Sequence, residues 1–524
     1  MHNINEKMKK NLIFAILILI IVITIFIYQT QKVGFHEDEV YSLSSAVNPK
    51  NGLMLAYREN FIPEDEAPNW KTKEYVSNYM TLTPDNYLNL KSIYTNQAMD
   101  NHPPLFYTLV HFASLLFGGQ FSKYTIFTVN IIAFIMSCIV IKKILELLNK
   151  RNIVVPTIMF YGLSMGTISM VLYQRMYMLL TLFILLYFYS SLQIYFNDFV
   201  IDKKTQIKLG IITVLGFLTQ YYFAIYALLI FTIMLVKMIK DKNYKNLKKY
   251  IIIHIIYAII GILAFVPCIW HLLFTDRGVT NLNNSNYLEH FLVYLKYLAY
   301  AFTLKDNLTI IILALIFFAL GLSYLCKKTN RKFVVALITI PNIIFFLITV
   351  KLTSFQELRY IMPIIPFVAI SLFMVLEKII SKDKYKTIIL TTISILLIIP
   401  GIIYSKPKFL YLKYTEYLKL AKENSEKPFV YVYDNFFNHM QSIPEMMIYK
   451  KTLIINNSKD ELKYLFEDEE LEKEQSYILS IKSYMNCEEI LKEIKENTEF
   501  KNVKLLCNDN SNQIGNNLYL LSKI

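Results

Sequence analysis

The chain has 524 residues, 55% of them hydrophobic, with 39 Tyr, 36 Phe and a formal net charge of +14. Its repeated apolar runs approach the ~20 residues that cross a bilayer core, which excludes a single soluble domain. The Lys and Arg fall in short loops between those runs, where they set topology, so the charge does not point to a nucleic-acid partner.

Lys7, Lys9 and Lys10 precede the first apolar run, 11–28. That run is too long for a signal-peptide core and lacks a small-x-small cleavage site, so it reads as an uncleaved anchor. Directly after it comes Gly34-Phe35-His36-Glu37-Asp38-Glu39-Val40-Tyr41. Carboxylates so close to hydrocarbon are costly and are expected to sit in a water-filled cavity. Asp38 and Glu39 are adjacent, so a helix separates them by about 100° and a strand turns them apart. They are therefore not a mutual acid–base pair; one carboxylate can serve as general base while the other holds structure. A solvated loop or helix cap over His36–Glu39 is the plainer alternative.

A second polar cluster, Asp100-Asn101-His102-Pro103-Pro104-Leu105-Phe106-Tyr107, opens another apolar stretch. The proline pair ends any preceding helix. Asp100 can cap the next helix, pair with an arginine, or bind a metal together with Asp38. His102 is a candidate to orient a carboxylate or ligand a metal, with a structural role as the alternative.

Apolar runs follow near 105–117, 124–141, 153–171, 176–196, 206–219, 222–239, 250–272, 307–325, 333–350, 359–378 and 386–404. If every run crosses, the basic segment Lys142–Arg151 lands outside. If 105–117 does not cross, that segment and the later basic loops all join the N-terminus in the cytoplasm, as loop-charge asymmetry requires. The expectation is eleven crossings, the 105–117 helix on the outer leaflet, and an extracytoplasmic C-terminus. Residues 29–123 and 273–306 are then outer loops, and both polar clusters lie outside. Arg175 and Tyr177, in Tyr-Gln-Arg-Met-Tyr, and Arg359 and Tyr360, in Glu-Leu-Arg-Tyr, mark outer ends of spans. Guanidinium forks suit a lipid phosphate; snorkelling or pairing with Asp38, Glu39 or Asp100 competes. Tyr221 and Tyr222 lie in another outer turn.

From 405 the composition changes. Short apolar runs at 429–433, 452–455, 477–481, 503–506 and 518–521 read as strands, with helical spacing over 459–467 and 488–496. The expected fold class is a polytopic all-α membrane module, 1–404, followed by a small soluble α/β domain, 405–524. The tail has no glycine-rich phosphate loop and is assigned no catalysis. Cys487 and Cys507 pair only if the tail is oxidised, and two thiols are an equal alternative.

The order of motifs resembles the bacterial GT-C glycosyltransferases related to protein O-mannosyltransferases and lipid A aminoarabinose transferases. Asp38-Glu39 after the first span and His-Pro-Pro-Leu-Phe-Tyr at 102–107 are the more specific matches, and the Arg motifs are weaker. The resemblance spans roughly 8–405 and leaves the tail out. It implies inverting transfer of a monosaccharide from a polyprenyl-phosphate donor, at the outer membrane face, to a glycan, lipid or protein acceptor. By position, Asp38 becomes the base with Glu39 assisting. Arg175 and Arg359 hold the departing phosphate, and Asp100, His102, Tyr177, Tyr221 and Tyr360 line the substrate site. His36-Glu37 before the acidic pair leaves Glu37 or Glu39 open as the base. No cofactor is certain, and relatives of this fold divide on divalent metal. A flippase for lipid-linked sugars and an envelope scaffold are the competing functions. The first lacks the internal repeats common in transporters; the second leaves the clustered outer charges without a task.

Overall fold

The computed structural model describes residues 2–48, 70–274, 286–302, 308–329, 331–353, 355–380, 385–434, 436–508 and 515–523. The 273–306 segment, expected as an outer loop, therefore lies partly outside the described residues. The chain divides into two compact units. One comprises Met1–Thr30, Asn101–Phe106 and Phe127–Lys408; the other comprises Gln31–Asp100, Tyr107–Ile126 and Phe409–Ile524.

The first unit is helical. Among the described residues, eight helices are long and apolar enough to cross a membrane: Asn11–Gln31, Thr125–Leu147, Tyr177–Phe196, Tyr222–Lys240, Tyr244–Ala264, Lys332–Leu352, Leu358–Ile379 and Lys386–Tyr404. Arg151–Leu163 and Met165–Leu172 form a further pair bent by 57°. Ser164 makes the bend: it is extended, and its hydroxyl accepts the Thr167 N–H at 3.3 Å, capping the second helix. Lys203–Thr219 and Leu308–Lys328 are also helices, while the run 250–272 divides into Tyr244–Ala264 and the short helix Cys268–Leu273. Leu105–Leu115 has 11 residues, about 16 Å of rise against a ~30 Å hydrocarbon core, and cannot cross alone. The protein is a multi-pass membrane protein.

The second unit is built on a six-stranded sheet: β1 (Trp70–Thr72), β2 (Phe429–Tyr433), β3 (Lys451–Asn456), β4 (Ser476–Lys482), β5 (Asn502–Asn508) and β6 (Asn516–Ser522). The order is β1-β3-β2-β4-β6-β5. Strands β3, β2 and β4 run parallel, and β1, β6 and β5 pair antiparallel at the edges. All five strands expected in the tail form. The sixth, β1, comes from the 29–123 segment and sets Trp70 opposite Leu453. The Trp70 indole N–H reaches the Asp468 carboxylate at 3.0 Å, and the Lys451 ammonium lies 4.8 Å from its ring centre. Three residues carry no alternation, so nothing in the sequence marked this strand.

The two sheet faces differ. Val430, Val432, Leu479 and Ile481 turn into a hydrocarbon core closed by Leu462 and Leu465 of helix Lys459–Phe466 and by Ile490 and Ile494 of helix Cys487–Asn497. Period-2 alternation sends Tyr431 and Ser480 to the opposite face. There the Tyr417 hydroxyl lies 3.0 Å from Ser480 Oγ, and Glu445 accepts from Tyr417 and from Asn516 Nδ2 at 3.0 Å. Helix Phe436–Met446, which carries Glu445, packs on β2 and also against helix Glu37–Val47. Cys487 and Cys507 are not bridged to each other.

Candidate active site

In the helical unit, helix Met165–Leu172 stops at Tyr173 because the chain turns extended there. Buried Asn130 secures the break, donating from Nδ2 to the Val171 and Tyr173 carbonyls at 3.2 and 2.8 Å. The break frees Arg175 from helical geometry; its N–H donates to the Tyr173 carbonyl at 2.7 Å. The guanidinium is buried, with Nη2 3.3 Å from His102 Nε2.

Arg359 sits on the 3-10 turn Leu358–Ile364, where Pro363 keeps the chain out of an ordinary helix start. It is also buried. Nη1 donates to the Tyr173 hydroxyl at 2.5 Å and Nη2 to the Tyr360 hydroxyl at 3.3 Å. The guanidinium carbon lies 5.8 and 5.1 Å from those two ring centres, within cation–π range. Tyr177 stacks on Tyr173 and meets Tyr360 edge-on, and Tyr222 also touches Tyr360. The structure thus brings His102, Arg175, Tyr177, Arg359 and Tyr360 into one linked cluster. Tyr173 joins them, and the sequence offered no reason to single it out beyond its place beside Arg175. Tyr221 faces elsewhere: its hydroxyl is 2.7 Å from His271 Nδ1, and its neighbour Tyr222 is the one that reaches Tyr360.

In the sheet unit, Asp38 and Glu39 occupy the first turn of helix Glu37–Val47. His36 is its N-cap: Nδ1 accepts the Asp38 N–H at 3.1 Å, while the Glu39 carboxylate accepts the His36 N–H at 2.7 Å. This reciprocal capping box spends two of the helix's open donors. Glu39 is fully buried against Lys32, whose ammonium donates to its two oxygens at 2.9 and 3.1 Å and to the Phe409 carbonyl at 2.6 Å. Phe409 and Tyr411 take positive φ, and the Tyr411 ring covers the ammonium at 4.9 Å. Burial pulls the Lys32 ammonium below its usual range, opposed by the Glu39 carboxylate. The Asp38 carboxylate is a quarter exposed and lies 3.6 Å from His36 Nδ1. The neighbouring acids thus have different surroundings, one enclosed against an ammonium, the other partly exposed.

The far end of that helix is also tied down. Asn96 Nδ2 donates to the Ser45 and Asn48 carbonyls at 2.9 and 3.0 Å, and His111 Nδ1 lies 2.8 Å from the Ala46 carbonyl. Asp100 is the C-cap of helix Leu90–Met99, not the N-cap of the next. Among the described residues, no three or more His, Cys, Asp or Glu side chains converge as a metal site would.

No family model matches the chain, and no curated protein matches it. Solved structures do. ArnT from Cupriavidus metallidurans in the apo state aligns with a TM-score of 0.55 at 8% identity, covering 98% of each chain. The same protein bound to undecaprenyl phosphate aligns at 0.51 and 9% identity, covering 97% of each. The alignment runs through the C-terminal domain, so the likeness reaches beyond the 8–405 expected from motifs. At this identity the likeness is one of backbone architecture: the chain has the GT-C fold, the fold of the aminoarabinose transferase ArnT.

Proposed function

We propose that this protein transfers a monosaccharide from a polyprenyl-phosphate donor to an acceptor hydroxyl or amine at the outer face of the membrane, with inversion. The observation that carries the reading is the polar cluster of the helical unit: the buried Arg175 guanidinium beside His102, and the buried Arg359 guanidinium framed by the Tyr173 and Tyr360 hydroxyls. It belongs to a chain with the fold of ArnT, which has been solved with undecaprenyl phosphate. A phosphate leaving group gains charge as the glycosidic bond breaks, and guanidinium forks match its oxygens. Asp38 is the base that takes the acceptor's proton, because its carboxylate remains open to solvent. Glu39 assists by position: with Lys32 and His36 it sets the helix turn that carries Asp38. His102 orients Arg175, and Tyr177 and Tyr360 wall the phosphate end. Asp100 and Tyr221 remain candidates for the acceptor side. The N-terminus is cytoplasmic and the sheet domain extracytoplasmic, following the loop charges.

The test is mass spectrometry of envelope lipids and glycans from a strain lacking the protein, complemented with wild type or Asp38→Asn. The expected result is build-up of one polyprenyl-phosphate sugar, loss of that sugar from an acceptor, and rescue by wild type alone. Rescue by Asp38→Asn removes Asp38 as base; an unchanged lipid profile in the deletion strain counts against the transferase reading.

A further inference from the structure

Helix Lys203–Thr219 carries a feature that sugar transfer does not use. A groove of about 610 Å³ is lined by Ile207, Ile211, Ile212 and the side chains of Lys203, Lys204 and Lys208. Through Ile207 and Ile211 it runs on into a second hollow of about 390 Å³, bordered by Val214, Leu215 and, from helix Tyr244–Ala264, Tyr257 and Ile260. Gly210 shapes the floor. A Cβ there would stand 2.7 Å from the Tyr257 ring, so only glycine lets that ring tuck in. The ring is then pinned, its hydroxyl donating to the Gln206 carbonyl at 2.7 Å.

The distribution of charge along the groove is one-sided. Lys208 is occupied, donating to Gln193 Oε1 at 2.7 Å with Tyr189 under its ammonium. Lys203 and Lys204 are exposed and, among the described residues, form no hydrogen bond or ion pair. The nearby acid, Asp202, is the helix N-cap, accepting the Thr205 N–H at 2.7 Å, and it lies within electrostatic reach of Lys204 and Lys249. An apolar trough ending in ammonium groups matches an amphiphile with an anionic head and hydrocarbon tail. From Lys203 to Leu215 the helix rises about 18 Å, slightly more than half of the ~30 Å hydrocarbon core, so the trough fits the depth of one leaflet.

We propose that this groove is a binding site for an anionic phospholipid, its phosphate held by Lys203 and Lys204 and its acyl chain laid along Ile207, Ile211 and Tyr257. The lipid is a resident of the leaflet opposite the proposed chemistry and is distinct from any sugar donor.

The experiment is native mass spectrometry of the full-length protein from detergent, titrated with phosphatidylglycerol or phosphatidylcholine, alongside thermal shift with the same lipids. Wild type is expected to retain phosphatidylglycerol in preference. Lys203→Ala with Lys204→Ala should cut that preference about 30-fold, equivalent to about 2 kcal/mol for two surface lysines. Gly210→Leu, which displaces the Tyr257 ring, should weaken both lipids alike. Thermal shift without lipid identifies a variant that has merely misfolded, and Ile207→Trp then replaces Gly210→Leu as the groove variant. An undiminished preference in the double variant overturns the proposal. An equal shift with inorganic phosphate alone also overturns it, by making this a site for small anions.

Discussion

Two places in the sheet unit bury a glutamate, and they treat it in opposite ways. At the start of helix Glu37–Val47, Glu39 is sealed from solvent but meets an ammonium, Lys32, with both carboxylate oxygens. On the polar face of the sheet, Glu445 is equally enclosed, but its ligands are neutral: the Tyr417 hydroxyl, the Asn516 amide and, at 3.5 Å, the Tyr414 hydroxyl. Lys482 acts on it only at longer range. Burial therefore wins, and pushes the Glu445 carboxyl up to about 7 from an ordinary value of 4.5. The same side chain meets an ammonium in one place and neutral hydroxyl and amide partners in the other. What decides is the partner's charge, since burial is common to both.

The sharpest way to break this contrast is Lys32→Met. It leaves Glu39 buried without its cation and releases the Phe409 carbonyl, so thermal unfolding in detergent should show a loss of about 3–5 kcal/mol. Lys32→Met with Glu39→Gln should recover much of it; no recovery would mean that Lys32 serves Phe409 alone.

A somewhat smaller effect concerns pH. The folded state holds the Glu445 proton more tightly than the unfolded chain does. Its contribution is therefore fully present below about 4.5 and is lost as pH rises through about 7. The loss is on the order of 3 kcal/mol across that window. Glu445→Gln should flatten this segment of the stability–pH curve, and an unchanged slope would assign it to another group.

Tyr417→Phe is the mildest change. It removes a hydroxyl that favours the Glu445 anion, so the midpoint of that pH transition should move upward, at a cost of about 1 kcal/mol at alkaline pH. A downward movement would mean that the hydroxyl prefers the protonated acid. The Glu39 cap should not respond to either substitution on the sheet's polar face.

Much of the architecture was legible in the residues. Runs of apolar residues locate helices because a bilayer demands length and hydrophobicity from each segment by itself. The tail strands were legible for a related reason: β2 and β4 are buried on both faces, so β2 is an unbroken apolar run and β4 is one interrupted only by Ser480. Strand β1 was not. Trp70-Lys71-Thr72 is a strand only because β3 presents an open edge to it. The site followed the same division. Arg175, Arg359, Tyr177 and Tyr360 stood out as polar or aromatic residues at span ends, whereas Tyr173 gained importance only by receiving Arg359.

The amino-acid sequence by itself determined which segments are apolar enough for membrane, which runs of the tail are strands, and that acids and arginines cluster at span ends. Each of these is a property of a short window of chain. The tertiary structure decided which of two adjacent acids stays open, which tyrosines meet which guanidinium, and which buried glutamate finds a lysine. Several of those outcomes join residues far apart in the chain, as Lys32 and Phe409 or Tyr173 and Arg359 are, and only packing sets the distance between them.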